Sequence, residues 1–304
     1  MIPILIPTAV MLSLLLFFTV SWHNSRKDNA ILKVKKTTRI INLGSTWAYY
    51  DIDYNGSGVS GVNLANCPQF LDYDLIILKK VISKLDEGTI ILITLADFVF
   101  AGKNTDSDRR QYYEVLNRKE IGNYSVRKLF KYVFLAATEP FTHYYQKKRD
   151  KWKGYVASDE DKLLFAQRRI SDWENPNGYV RIPSVKKGDV TDEHKERIKQ
   201  NIEIVMNIIS VCHNHSMKPY ILILPQSAIM RKEISDECLE VYLRAPISRI
   251  VQESAFRNWD LGILDYSTNE ELSDMKLYMN GDCFNNEGRK VFTDVVLTDV
   301  GLFY

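Results

Sequence analysis

At 304 residues the chain has room for one large domain with a sizeable core, plus an anchor. Its 45% hydrophobic and 12% aromatic content exclude a disordered chain. With 40 basic residues against 38 acidic ones the net charge is only +2, so nothing in the balance calls for nucleic acid as a partner.

The first segment stands apart. Met1 to Trp22 carries no charged side chain and, at about 1.5 Å per residue, is long enough to cross a hydrocarbon core. It lacks a basic n-region and a small-x-small cleavage site, so residues 1–25 read as an uncleaved membrane anchor rather than a secretory signal. Residues 26–38 then form a polar linker. Arg26, Lys27, Lys33, Lys35 and Lys36 all follow the segment, and a positive-inside count would hold the domain in the cytoplasm.

Arg39 to Leu43 reads as a buried strand ending at Gly44, and Val62 to Ala65 as a brief apolar run. From about Gln69 to Leu85, Leu71, Leu75, Leu78 and Ile82 recur three or four apart, which predicts a helix with one buried face. Thr89 to Leu95 is a β-branched strand. A stretch from about 101 to 190, rich in Tyr, Trp, Lys and Arg, reads as an irregular insertion with a helix near Val126 to Leu135 and a basic run at Lys147 to Lys153.

Regular order returns with a helix over Asp192 to Cys212, a strand at Tyr220 to Leu224 and a helix over Cys238 to Glu253, bent at Pro246. A strand at Leu261 to Asp265 and a final helix from Asn286 complete the pattern. Strands separated by helices of this length imply βαβ crossovers and a mostly parallel sheet covered on both faces. Ligands in such folds sit beyond the carboxyl ends of the strands, here the loops after Leu43, Ala65, Leu95 and Leu224. Cys67, Cys212, Cys238 and Cys283 form no C-x-x-C pair, so neither a zinc nor a thioredoxin-like site is expected; two disulfides and buried free thiols fit equally.

Two short motifs go further. Ile41-Asn42-Leu43-Gly44-Ser45-Thr46-Trp47 runs a strand into a glycine turn with hydroxyls at its tip, and Asn280-Gly281-Asp282-Cys283-Phe284-Asn285-Asn286-Glu287-Gly288 precedes the last helix. They resemble the first block (G-D-S, or G-S-S) and the last block (D-x-x-H, then Asn and Gly) of the SGNH, or GDSL-type, hydrolases. Asn63-Leu64-Ala65 with Pro68-Gln69, Tyr112-Tyr113, Leu264-Asp265-Tyr266 and Phe292-Thr293 resemble the branch acting on cell-envelope polymers, which includes the D-alanyl transfer protein of lipoteichoic acid. The resemblance spans residues 39–298. It implies a three-layer α/β/α sandwich over 39–304 and a domain outside the cytoplasm, against the flanking charges.

Residue by residue, the resemblance puts the nucleophile on Thr46, the general base on Cys283 and its orienting acid on Asn280. All three are substituted, and the oxyanion Asn has no clear counterpart in Leu95-Ala96-Asp97-Phe98. A hydroxyl needs a neighbouring base to become a good nucleophile, and a thiol serves poorly as that base. Asn for Asp alone costs about 10⁴ in rate in the serine-protease template. Ser45 is an off-register nucleophile or a turn hydrogen bonder; Cys283 is a new nucleophile helped by Asp282, or a small buried filler. Gly44, Asn63, Asp97 and Asp282 are expected to line the pocket. His213 and His215, two apart at a helix end, are dipole partners rather than metal ligands, and His143 and His194 have no visible partner. The expected function is a catalytically degenerate protein that binds a cell-envelope or capsular polysaccharide or partners a membrane acyltransferase, with no cofactor. The alternatives are an active esterase or O-acyltransferase using Thr46 or Ser45, and a Cys283-dependent enzyme.

Overall fold

The computed structural model describes residues 2–103, 109–138 and 156–303; the side chains of residues 2–6 and of Ala9 lie outside the description, as do His143 and the basic run at 147–153. The chain divides into two compact units, one from residues 34–105 and 153–304, the other from residues 1–33 and 106–152.

The larger unit is a mixed α/β body. Five strands, β1 (Ile40–Leu43), β2 (Gly61–Asn63), β3 (Ile90–Leu95), β4 (Lys218–Ile223) and β5 (Gly262–Asp265), form one sheet in the order β2-β1-β3-β4-β5. Every pairing is parallel, with Ile41 opposite Val62 and Ile91, and Leu222 opposite Leu264. Every residue of β1 and β3 is buried, as continuous apolar runs covered on both faces must be.

Side chains alternate between the two faces. Ile40, Leu92 and Leu222 point into a cluster with Phe292, Val296 and Leu297 of the last helix. That helix is the last of those that flank the sheet, in chain order Thr46–Asp51 (α3), Leu71–Val81 (α4), Asp159–Glu174 (α7), Asp192–Asn214 (α8), Ala228–Glu233 (α9), Asp236–Leu239 (α10), Ala245–Phe256 (α11) and Asn286–Asp299 (α12). α8 packs against α4 and α11. It buries Ile202, Val205, Ile208 and Ile209, each contributing about 1.5–3 kcal/mol.

Differences from the sequence reading have local causes. β4 starts two residues early, and α4 tightens into a 3₁₀ turn at Ile82–Lys84. The helix expected over Cys238 to Glu253 is interrupted by a π turn, Glu240–Arg244, just before Pro246, whose ring nitrogen has no proton to donate into a regular helix. The stretch expected to be irregular contains α7, capped by Ser158 Oγ on the Asp161 N–H and opened by Asp159, Glu160 and Asp161 against the helix dipole.

The smaller unit contains α1 (Ile2–Ser25), α2 (Ala30–Lys33), α5 (Arg110–Val115) and α6, residues 126–138. Part of the expected linker is fastened here. Asn29 Nδ2 donates to Gln111 O (2.9 Å) and Glu114 Oε2 (2.8 Å), and Ser25 Oγ donates to Glu114 Oε1 (3.1 Å). Among the described residues no helix is long and apolar enough to cross a membrane.

Candidate functional site

Strand order reverses between β1 and β3, and open parallel sheets bind ligands in the crevice at that point. A cavity of about 520 Å³ lies there. Gly44, Ser45 and Thr46 after β1 line it, with Thr94 and Ala96 to Val99 around the end of β3, Cys67 to Leu71 and Asp74 before and on α4, and Arg169, Asp172, Trp173, Asn175 and Gly178 to Val180 on and after α7.

The turn after β1 requires its glycine. Gly44 has φ +136°, and a Cβ there would meet Ala48 Cβ at 2.9 Å and Thr94 Cβ at 3.0 Å. Its N–H donates to Asp74 Oδ1 at 2.9 Å, and Gln69 Nε2 donates to the same oxygen at 2.6 Å. Burial pushes the Asp74 carboxyl up to about 7, even though both bonds favour the ion. Ser45 holds the N-cap position of α3, and its Oγ accepts the Gln69 N–H at 3.2 Å. Thr46 is the first residue of α3.

Across the crevice, burial raises Asp97 to about 6, and the charge of Asp282 acts in the same direction. Phe98, next in the chain, is fully buried with φ +60°, a left-handed conformation rare for a bulky side chain and characteristic of functional loops. Its ring lies 4.8 Å from Trp173, which in turn lies 6.2 Å from Trp47. Phe70 and Tyr179 pair at 5.4 Å on another wall. The Arg169 guanidinium stacks over Trp47 at 5.4 Å.

The last motif has a different place. Asn280 Oδ1 accepts the N–H groups of Asp282 (2.9 Å) and Cys283 (2.7 Å), so this side chain shapes its own loop. Ser227 Oγ donates to Gly281 O, and a Cβ on Gly281 would meet Lys162 O of α7 at 2.5 Å. Asp282 Oδ2 accepts from Arg169 Nε at 2.6 Å. Cys283 is 2% exposed, and burial followed by the charges of Asp282 and Asp51 pushes its thiol well above the ordinary range. Asp51, itself raised by burial, accepts the Phe284 N–H. Asn285 caps α12 through the Gly288 N–H, and Gly288 is held to glycine by Leu277 O, which a Cβ would strike.

Of the residues singled out in the sequence, Gly44, Ser45, Thr46 and Asp97 therefore line the cavity; Asn63, Asn280, Asp282 and Cys283 do not. Asn63 acts as a strut: its Nδ2 donates to Ala48 O and Ile52 O, and its Oδ1 accepts from Asn42 Nδ2. Arg169 links the two groups, lining the cavity while bonded to Asp282.

No described histidine lines the cavity. His194 is occupied at both ring nitrogens, by Thr191 Oγ1 at 2.7 Å and Val180 O at 2.9 Å. His213 faces Trp259, and His215 is the C-cap of α8. All four cysteines are free thiols, and no cluster of potential metal ligands occurs among the described residues.

The sequence reading missed Asp74, Arg169, Asp172 and Trp173. Asp74 had a visible signal, a carboxylate on the apolar stripe three residues after Leu71. Ser158 three residues before Asp161 marked the start of the helix that carries the other three. No protein-family model matches the chain, and no curated protein matches it in sequence.

Proposed function

We propose that the chain is an SGNH-hydrolase-like α/β/α domain, anchored through residues 1–22, whose catalysis has lapsed and whose cavity holds a cell-envelope or capsular polysaccharide. It acts alone or beside a membrane acyltransferase, outside the cytoplasm. The observation that carries this is the fate of the base position: Thr46 lines the cavity, while Cys283 is buried outside it with its thiol held protonated. A protonated buried thiol is neither base nor nucleophile, which removes support from a Cys283-dependent enzyme. What remains is a cavity with Trp47, Phe70, Trp173 and Tyr179 on its walls beside Ser45, Thr46, Asp97 and Arg169, suited to holding a sugar ring by its apolar face and its hydroxyls.

A second reading rests on Asp74 and Asp97. Raised to about 7 and 6, they stand in the range where a carboxylate serves as a general base near neutral pH. In that reading one of them serves as the base for Thr46 or Ser45 in an esterase or O-acyltransferase.

One pair of measurements separates the readings. The full chain in detergent micelles is treated with a fluorophosphonate and mapped by mass spectrometry, then titrated with envelope polysaccharide fragments by tryptophan fluorescence. Binding without an adduct supports the lapsed enzyme. An adduct on Thr46 or Ser45 overturns it in favour of the second reading, and saturable binding absent from both overturns the glycan assignment.

A further inference from the structure

The smaller unit leaves an apolar surface that its own packing does not cover. α6 buries Tyr132 and Ala136 but exposes Val126, Phe130 and Phe134, with Phe130 at 69% and Phe134 at 58%. These three lie four apart and form one stripe along the helix. Arg127 and Lys131, one residue further on, are also exposed and run beside it. The stripe does not end on α6: the Phe134 ring lies 6.3 Å from Phe18 of α1.

α1 itself is exposed on every side over its middle turns, where Met11, Leu12, Leu15 and Leu16 are each more than half accessible. A helix apolar all round is matched by lipid, not by a single groove on a partner. Phe18 stands seven residues before the end of α1 at Ser25, about 10 Å along the axis.

We propose that α6 docks on an anionic lipid bilayer, with Val126, Phe130 and Phe134 in the acyl boundary and Arg127 and Lys131 at the phosphate headgroups. It is a second membrane contact beside the foot of α1, and it rests on the reading of α1 as an anchor. Continuity with α1 and the basic row favour lipid over a protein partner.

The test places a photoreactive benzophenone side chain at position 16, 130 or 87 of the full chain in nanodiscs containing phosphatidylglycerol and phosphatidylcholine. Lipid adducts are expected at 16 and 130, with background only at the exposed Glu87 position. The yield at 130 should fall several-fold with phosphatidylcholine alone, or in the Arg127→Gln/Lys131→Gln variant. Adducts at 16 but not at 130 overturn the proposal and leave the anchor intact. Absence at both positions removes the anchor, and this inference with it. A crosslink from 130 to a second copy replaces lipid with self-association.

Discussion

Replacing Arg169 by Met tests how the cavity is tied to the loop of the last motif. The guanidinium bonds Asp282 at 2.6 Å, with Asp282 4% and Arg169 28% exposed at their side chains. Removing one partner of a buried pair costs about 3–5 kcal/mol, because the other charge is left without compensation. The partial exposure of Arg169 favours the lower end, and loss of its stacking on Trp47 adds about 0.5–1 kcal/mol. Arg169→Met is therefore expected to cost about 3–4 kcal/mol at pH 7, measured by denaturant unfolding followed through tryptophan fluorescence. Arg169→Met/Asp282→Asn should recover most of the loss. A deficit below about 1 kcal/mol at pH 7 would refute the reasoning.

Other expectations follow the same contacts. Asp74→Asn keeps an oxygen for Gly44 but no longer ionises; since burial raises Asp74 to about 7, the native protein should lose stability as pH rises from about 4 to 7, by at most about 1.4 kcal/mol per unit from this group, and the variant should lack that slope in unfolding titrations. Gly281→Ala drives a methyl into Lys162 O and Ala166 N of α7, so thermal unfolding should show a large loss of stability, unlike Gly88→Ala at a turn with open space but a positive φ, which costs about 1 kcal/mol. Asn285→Ala removes the α12 cap and should cost about 1 kcal/mol by denaturant unfolding. On the proposed function, Trp47→Ala should weaken polysaccharide binding at least about tenfold in a fluorescence titration that reads Trp173, a loss of about 1.4 kcal/mol.

The sheet was legible because β1 and β3 are unbroken apolar runs and α8 keeps a helical period over 23 residues, so period and length point to the same element. α7 was not read because its composition is dominated by charge: Asp159, Glu160, Asp161, Lys162, Arg168 and Arg169 obscure a stripe as thin as Ala166 and Trp173. Half of the site went with it. Ser45 and Thr46 could be found from a local turn, but no local signal tells that Arg169, more than a hundred residues from Asp282, would bond it. Asn285 and Gly288 have architectural duties of their own, a helix cap and a close approach to Leu277. The π turn before Pro246 answered a constraint the sequence displayed, in a form that periodicity does not specify.

The clasp at the base of α1 decides where this polypeptide can be cut. Glu114, 5% exposed, takes its bonds from Ser25 on one side and Asn29 on the other. A shortened chain that begins at residue 26 discards the first and frays the second, whereas one that begins at Ser25 or just before it retains both. The boundary suggested by hydropathy alone, at the last apolar residue, is thus not the boundary of the folded part. Any segment exchanged for α1 must be joined upstream of that serine to leave α5 with its partners.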